Sequence, residues 1–303
     1  MLRNESSQGD EGNGSLAPLP PFLAIGYTSC RTLGRAESLC WVRSRAMHER
    51  IKEEIERIER KHDVSVVYSV ESGSRAWGFP SEDSDWDCRF IYVHRPDWYM
   101  SIRKHSDVIE EMLPGDLDLA GWELRKALRL FKKSNPPLME WLHSPIVYKE
   151  NTEVMERWRA LVPTYCSPER CFHHYLHMAA GNFRDYLKGE EVWLKKYLYV
   201  LRPLLACRYI EKCDAWVPME FDTVVEATVE SAEVKSAISA LVERKMAGEE
   251  LRKGPRNEAI DSFIRNELER LQTAVPKDES HPNDDRLDEF FRWCVTYCDG
   301  ATL

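Results

Sequence analysis

Val64-Ser65-Val66-Val67-Tyr68-Ser69-Val70 runs into Glu71-Ser72-Gly73-Ser74-Arg75, and Asp85-Trp86-Asp87-Cys88-Arg89-Phe90-Ile91-Tyr92-Val93 follows after a polar gap. The first run is rich in β-branched residues and reads as a buried strand. Glu71 to Arg75 reads as a turn, Ala76 to Phe79 as a short helical turn that Pro80 stops, and Ser81 to Ser84 as loop. Asp85 to Val93 reads as a second strand. Side chains two apart on a strand share a face. Asp85 and Asp87, with Cα atoms about 6.5 Å apart, can therefore converge on one small volume. Two carboxylates beside a core are costly unless a cation lies between them. Mg²⁺, or Mn²⁺ in its place, is a natural occupant, because it takes one or two carboxylates together with substrate phosphates. Two such ions about 4 Å apart can activate a hydroxyl and stabilise a leaving pyrophosphate. Gly73 lets backbone approach a ligand closely, and the Ser74 hydroxyl and nearby amides can hold phosphate oxygens. The competing account is a polar strand entry whose carboxylates cap a turn or pair with Arg89.

Further strands are expected at Val108 to Met112 and Leu117 to Leu119, joined at the hairpin signal Pro114-Gly115-Asp116. Before the first strand, His48 to Lys61 has Ile51, Ile55 and Ile58 on one helical face. Glu123 to Lys133 is an amphipathic helix that Asn135-Pro136-Pro137 ends. Beyond residue 150 only helices are expected: about 169–187, 193–211 with a kink at Pro203, 231–247, 259–272 and 286–297. Strands in the first half and helices in the second predict an α+β protein of two domains, 47–150 and 151–303. Residues 1–46 have no sustained period and read as a disordered leader or tail.

The 303 residues are 43% hydrophobic, so global disorder is excluded. A net charge of −9 argues against a protein that is basic throughout and wraps nucleic acid, though not against a local basic cleft. No stretch approaches 18 uninterrupted apolar residues, so no membrane span is expected. Nine scattered Cys, in an odd number, fit reduced buried thiols in a cytoplasmic protein.

Gly73-Ser74, a spacer and Asp85-x-Asp87 resemble the signature of the DNA polymerase β-like nucleotidyltransferase superfamily. Longer stretches, at 73–79, 84–92, 121–128, 134–148, 174–187 and 195–203, resemble the nucleotidyltransferase family associated with bacterial RNA repair (RlaP-like). The resemblance covers about 48–270. It implies a small mixed-sheet palm domain followed by a helical domain. It also implies a third acidic residue on a neighbouring strand. Asp118 is the best match and Asp116 the rival, of the same strand parity but nearer the turn. The third carboxylate would act as general base or complete the metal site with Asp85 and Asp87. Nucleotide contact is implied for Gly73, Ser74 and Arg75. A helical domain of this kind supplies a Lys to the triphosphate and an aromatic to the base. That points to Lys195 or Lys196 and to Tyr197, with Tyr197 and Tyr199 equally open to a core role.

The activity implied is transfer of a nucleoside monophosphate from a triphosphate to a hydroxyl, with RNA as the acceptor in the family context. The signature does not choose among ATP, CTP, GTP and UTP. A protein or small-molecule acceptor, or a non-catalytic nucleotide- or RNA-binding module, would suit the same fold. Arg125, Lys126, Arg129, Lys132 and Lys133 form a basic helix face that could meet RNA or simply face solvent. Arg184 could reach a phosphate or pair with Asp185. His173, His174 and His177 have partial zinc spacing, but the glutamate of the metalloprotease motif is missing. Cys294 and Cys298 lack a second ligand pair.

Overall fold

The computed structural model of the chain describes residues 35–249, 251–273 and 282–300. The expected leader lies outside the described residues up to residue 34. Helix α1 (Arg35–His62) leads into strand β1 (Val64–Glu71), the one-turn helix α2 (Gly73–Ala76) and strand β2 (Trp86–His94). Then come α3 (Pro96–Tyr99), the β3 (Val108–Leu113) and β4 (Leu117–Glu123) hairpin, α4 (Leu124–Lys132), α5 (Pro136–Leu142) and β5 (Val147–Glu150). The rest comprises α6 (Thr152–Arg159), α7 (Val162–Tyr165), α8 (Pro168–Tyr186), β6 (Glu191–Trp193), α9 (Leu194–Cys213), α10 (Phe221–Thr228), α11 (Ala232–Met246), β7 (Lys253–Pro255), α12 (Glu258–Thr273) and α13 (Asp285–Gly300).

The main sheet is mixed, with order β3-β4-β2-β1-β5. β2 is central, antiparallel to β1 and parallel to β4. Alternation on β2 sends Trp86, Cys88, Phe90 and Tyr92 to one face, where they join Leu117 and Leu119 beneath Ile51, Ile55 and Ile58 of α1. Each of these three buried isoleucines contributes about 1.5–3 kcal/mol. The opposite face of β2 carries Asp87, Arg89, Ile91 and Val93. A bulge between Val66 and Tyr68 shifts the parity of β1. Val64 and Val66 face α1, Tyr68 and Val70 face the helices, and Glu71 returns to the α1 side.

Several expectations need correcting. α1 begins at Arg35, ahead of Met47, so the helix does not start where its apolar face becomes legible. Asn135-Pro136-Pro137 follows the end of α4 as expected, and it also starts a second helix. Asn135 caps α5 by accepting the Leu138 N–H, and Pro136 takes the first helical position, where a missing N–H costs nothing. The second half is not purely helical, since β6 and β7 pair in a small separate sheet. One buried cluster runs from Val67 and Val70 to Val295 and Cys298, so residues of both expected domains contribute to it. Among the described residues, Cys88, Cys166, Cys171, Cys207, Cys213, Cys294 and Cys298 are in no disulfide. No helix among the described residues is long and apolar enough to cross a membrane.

Two contacts in this frame can be tested. A Cβ on Gly121 would lie 2.1 Å from Cε2 of the buried Phe90 ring, so Gly121→Ala should destabilise by about 1–3 kcal/mol in a denaturant titration. Combining it with Phe90→Leu should recover part of that loss. Glu111 of β3 accepts from Lys61 (2.8 Å), Arg57 (2.6 Å) and His62 (3.4 Å) near the end of α1. The Lys61 bond first, and then those from Arg57 and His62, hold its carboxyl at about 2. A depressed carboxylate stabilises fully above its unfolded value and loses that contribution as pH falls through the folded one. Glu111→Gln should therefore be less stable than the parent at pH 7, with the gap closing between about pH 4.5 and 2.

Candidate active site

The site is assembled at the start of β2, on the face away from α1. Asp87 and Asp118 are direct Cα partners across the parallel β2–β4 pair. Arg89, two residues along β2, reaches back between them. Its Nη2 donates to Asp87 Oδ1 and to Asp118 Oδ2, each at 2.8 Å. Its Nη1 donates to the carbonyls of Cys88 (3.3 Å) and Asp118 (3.2 Å). The pairing with Arg89 that the sequence left open is therefore present, and Asp118 joins it. Asp116 lies apart at the hairpin, in the left-handed region at φ 55°, where its carbonyl accepts the Trp86 N–H at 2.7 Å.

Burial pushes the Asp87 carboxyl above its ordinary value; the Asp118 and Asp85 charges add to this, while Arg89 and Arg75 oppose it. Asp85 stands just ahead of β2 and is exposed. Among the described residues no three His, Cys, Asp or Glu side chains converge as a ready metal cluster. Asp85, Asp87 and Asp118 are thus not gathered as a triad. Two of them already share one cation. The donor set of Asp87 and Asp118 nonetheless suits a hard divalent ion, since both carboxylates bond to a single nitrogen at 2.8 Å and their oxygens are the ligands such ions prefer.

Gly73 sits beside this pair with φ +62°. A Cβ there would lie 2.3 Å from Asp87 Oδ2, so the turn packs directly against the carboxylate. Ser72 N–H donates to the Asp87 carbonyl at 2.9 Å, closing the turn onto β2. The Ser74 hydroxyl donates to Ser84 Oγ at 3.3 Å. Arg75 clamps the following loop. It donates to the carbonyls of Ser84 (2.6 Å) and Asp85 (3.1 Å) and lies 3.7 Å over the Trp86 ring.

Glu71, which was not among the expected site residues, supports the site from the other face of the sheet. It is fully buried, accepts the Asp87 N–H at 2.9 Å and accepts the Tyr148 hydroxyl. Burial raises its carboxyl to about 7 against those hydrogen bonds. Its only sequence signal was an acidic residue at the end of an apolar strand.

From the helical half, Lys196 places its ammonium 4.6 Å from the ring centroids of both Tyr186 and Tyr199. Tyr199 meets Trp77 edge-on at 6.2 Å, and its hydroxyl feels the charges of Asp87 and Asp85 in addition to burial. Lys195 is exposed in the first turn of α9, and its charge is felt at Asp83 and Lys245. Tyr197 is buried in the core, where its hydroxyl accepts the Asn257 N–H at 3.2 Å. The structure therefore brings Tyr199, not Tyr197, toward the carboxylates. The basic face of α4 is largely engaged. Lys126 bonds Asp107 (3.1 Å), Lys132 bonds Asp284 (2.5 Å) and Arg125 lies over the Tyr99 and Phe291 rings. Arg184 pairs with Asp185 at 2.9 Å.

Residues 47–293 match the model of a family described as RlaP, the RNA repair pathway DNA polymerase beta family. The chain belongs to that family. It is a polymerase β-like nucleotidyltransferase family, for which a nucleotide is the implied substrate. The uncharacterized protein YcgL of Bacillus subtilis (strain 168) is 50% identical over 238 residues, which span 78% of this chain and 92% of that protein. A crystal structure of a nucleotidyltransferase-like protein from Exiguobacterium sibiricum 255-15 aligns over 82% of this chain and 90% of its own, at 12% identity and a TM-score of 0.30.

Because Gly73 has a left-handed backbone, Gly73→Ala should cost about 1–2 kcal/mol in a denaturant titration. Its methyl should also displace the Asp87 carboxylate, and a crystal structure of the variant should find the Asp87–Arg89 bond lost.

Proposed function

We propose that the chain is a divalent-metal-dependent nucleotidyltransferase that moves a nucleoside monophosphate from a triphosphate onto a hydroxyl at an RNA end, releasing pyrophosphate. The observation that carries this reading is the pairing of Asp87 with Asp118 around one cation, directly against the Gly73-Ser74 turn. The RNA end as acceptor is supported by the family's description as an RNA repair pathway family.

Asp87 and Asp118, with Asp85 at the strand entry, would hold Mg²⁺ or Mn²⁺ once Arg89 gives way, and the ion when bound supplies charge to the phosphoryl oxygens and the leaving pyrophosphate. The Ser74 hydroxyl and the turn beside it would bind phosphate oxygens. Lys195 and Lys196 suit the triphosphate as point charges. Tyr199, with Tyr186 across Lys196, offers a ring for the base. Asp118 would take the proton of the acceptor hydroxyl. The acceptor oxygen then forms its bond to the α-phosphorus as the α–β anhydride bond breaks, and pyrophosphate leaves with the electron pair.

The test is transfer of label from each α-labelled triphosphate, with Mg²⁺ or Mn²⁺, to cellular RNA, beside protein-only lanes. Label on RNA is expected, and the Asp85→Ala/Asp87→Ala double variant should reduce it at least a hundredfold. Asp-dependent label on protein alone would replace RNA with a protein acceptor. Nucleotide binding without any transfer would make the chain a binding module.

A further inference from the structure

Lys245 is a lysine where the fold has no obvious need of one. It lies in the last turn of α11, and the residue is only 8% exposed. Its Nζ donates to the Phe79 carbonyl (3.2 Å), Ser81 Oγ (3.4 Å) and Ser84 Oγ (3.0 Å). An ammonium has three donors, and all three are used on one loop. A buried ammonium is costly, and burial together with the nearby Lys195 charge lowers its pKa. An apolar residue would fill the same space without that cost, so the value of the lysine lies in what its hydrogen bonds fix.

They fix the segment that joins the two halves of the site. Ser84 Oγ also accepts from the Ser81 N–H at 2.9 Å and from the Ser74 hydroxyl at 3.3 Å. Lys245 is therefore one serine away from the hydroxyl proposed to meet phosphate, and one residue away from Asp85. Arg75 grips the same backbone from the opposite side, at the carbonyls of Ser84 and Asp85. The start of the segment is docked on the helical half as well. Phe221 N–H donates to the Trp77 carbonyl at 2.9 Å, and the Phe79 ring lies 5.4 Å from Phe221 and 5.6 Å from the Lys245 ammonium.

We propose that Lys245 is a positioning residue for nucleotide binding: from α11 it pins the 79–85 loop so that the Ser74 hydroxyl and Asp85 face the same triphosphate. The turn and Asp87 are already joined through the Ser72 N–H and the β1–β2 pairing; what the loop adds is Ser84, the partner of the Ser74 hydroxyl, and Asp85, and its placement sets where those two stand. The inference rests on the nucleotidyltransferase reading above, and its first test does not.

Hydrogen exchange of the full chain is compared for wild type, Lys245→Met and Lys245→Arg. Methionine keeps the stem and removes the ammonium; arginine keeps a charge. Lys245→Met should speed exchange of the amides in the 79–85 loop at least tenfold, with α9, α11 and the main sheet within twofold of wild type. Lys245→Arg should restore most of the protection. Should Lys245→Met fail to fold, Ser84→Ala removes the shared acceptor hydroxyl instead and should loosen the same segment. Calorimetry with each of the four triphosphates and Mn²⁺ is the second arm. Lys245→Met should weaken at least tenfold whichever triphosphate wild type binds, and Lys245→Arg should recover part of it. Unchanged exchange in the loop, or a rise shared equally by α9 to α12, would overturn the inference, as would triphosphate affinity equal to wild type. If wild type binds no triphosphate, the nucleotidyltransferase reading fails, and the exchange arm alone decides whether Lys245 holds the loop.

Discussion

The period-two alternation of β2 governs this protein. One face of the strand is apolar from Trp86 to Tyr92 and is sealed by α1. The other carries Asp87 and Arg89 at its start and Ile91 and Val93 further on. A slip of one residue would send two charges under α1 and an aromatic row into the site, so the register is strongly specified. The parallel pairing with β4 then delivers Asp118 opposite Asp87 by backbone hydrogen bonds alone. Arg89 has only to complete what the two strands have brought together.

The segment between Gly73 and Asp85 is the second constraint. It belongs to the sheet by sequence but is held largely by the helices. Trp77 Nε1 donates to Glu140 at 3.2 Å, and Glu140 in turn faces the buried Arg202 and accepts from Tyr175. The carboxylates stand on rigid strands, whereas the segment that follows the turn is docked on residues more than 60 positions away. Helical packing and site geometry are thus coupled through a short stretch of chain.

Much of this was legible in the sequence where a single element carries its own pattern. The β-branched run of β1, the alternation of β2, the Gly115-Asp116 turn and the isoleucine face of α1 all announce themselves within a few residues. The parity of Asp118 was legible too, because strand geometry is local. What escaped was whatever depends on a distant partner. β5 is four residues whose pairing with β1 makes it a strand. The start of α1, from Arg35 to Ala46, has no sustained period to read. Lys245 resembles any solvated lysine on a helix until α11 is docked, and Glu71 looks like a strand end until the bulge turns it inward. Tyr197 and Tyr199 could not be told apart, because only the packing of α9 decides which of two alternate positions is sealed in.

Arg89 has a consequence for how the protein comes into being. Its two carboxylate partners would repel each other through a partly buried volume if they had no counter-charge. Arg89 supplies that charge from the same strand, so the sheet can close electrically balanced as soon as it is made. The charge that balances the two carboxylates is thereby encoded two residues from one of them, and the strand pair closes without drawing on anything from solution. On the proposed reading, an incoming ion would exchange against an internal guanidinium rather than fill a vacant cage.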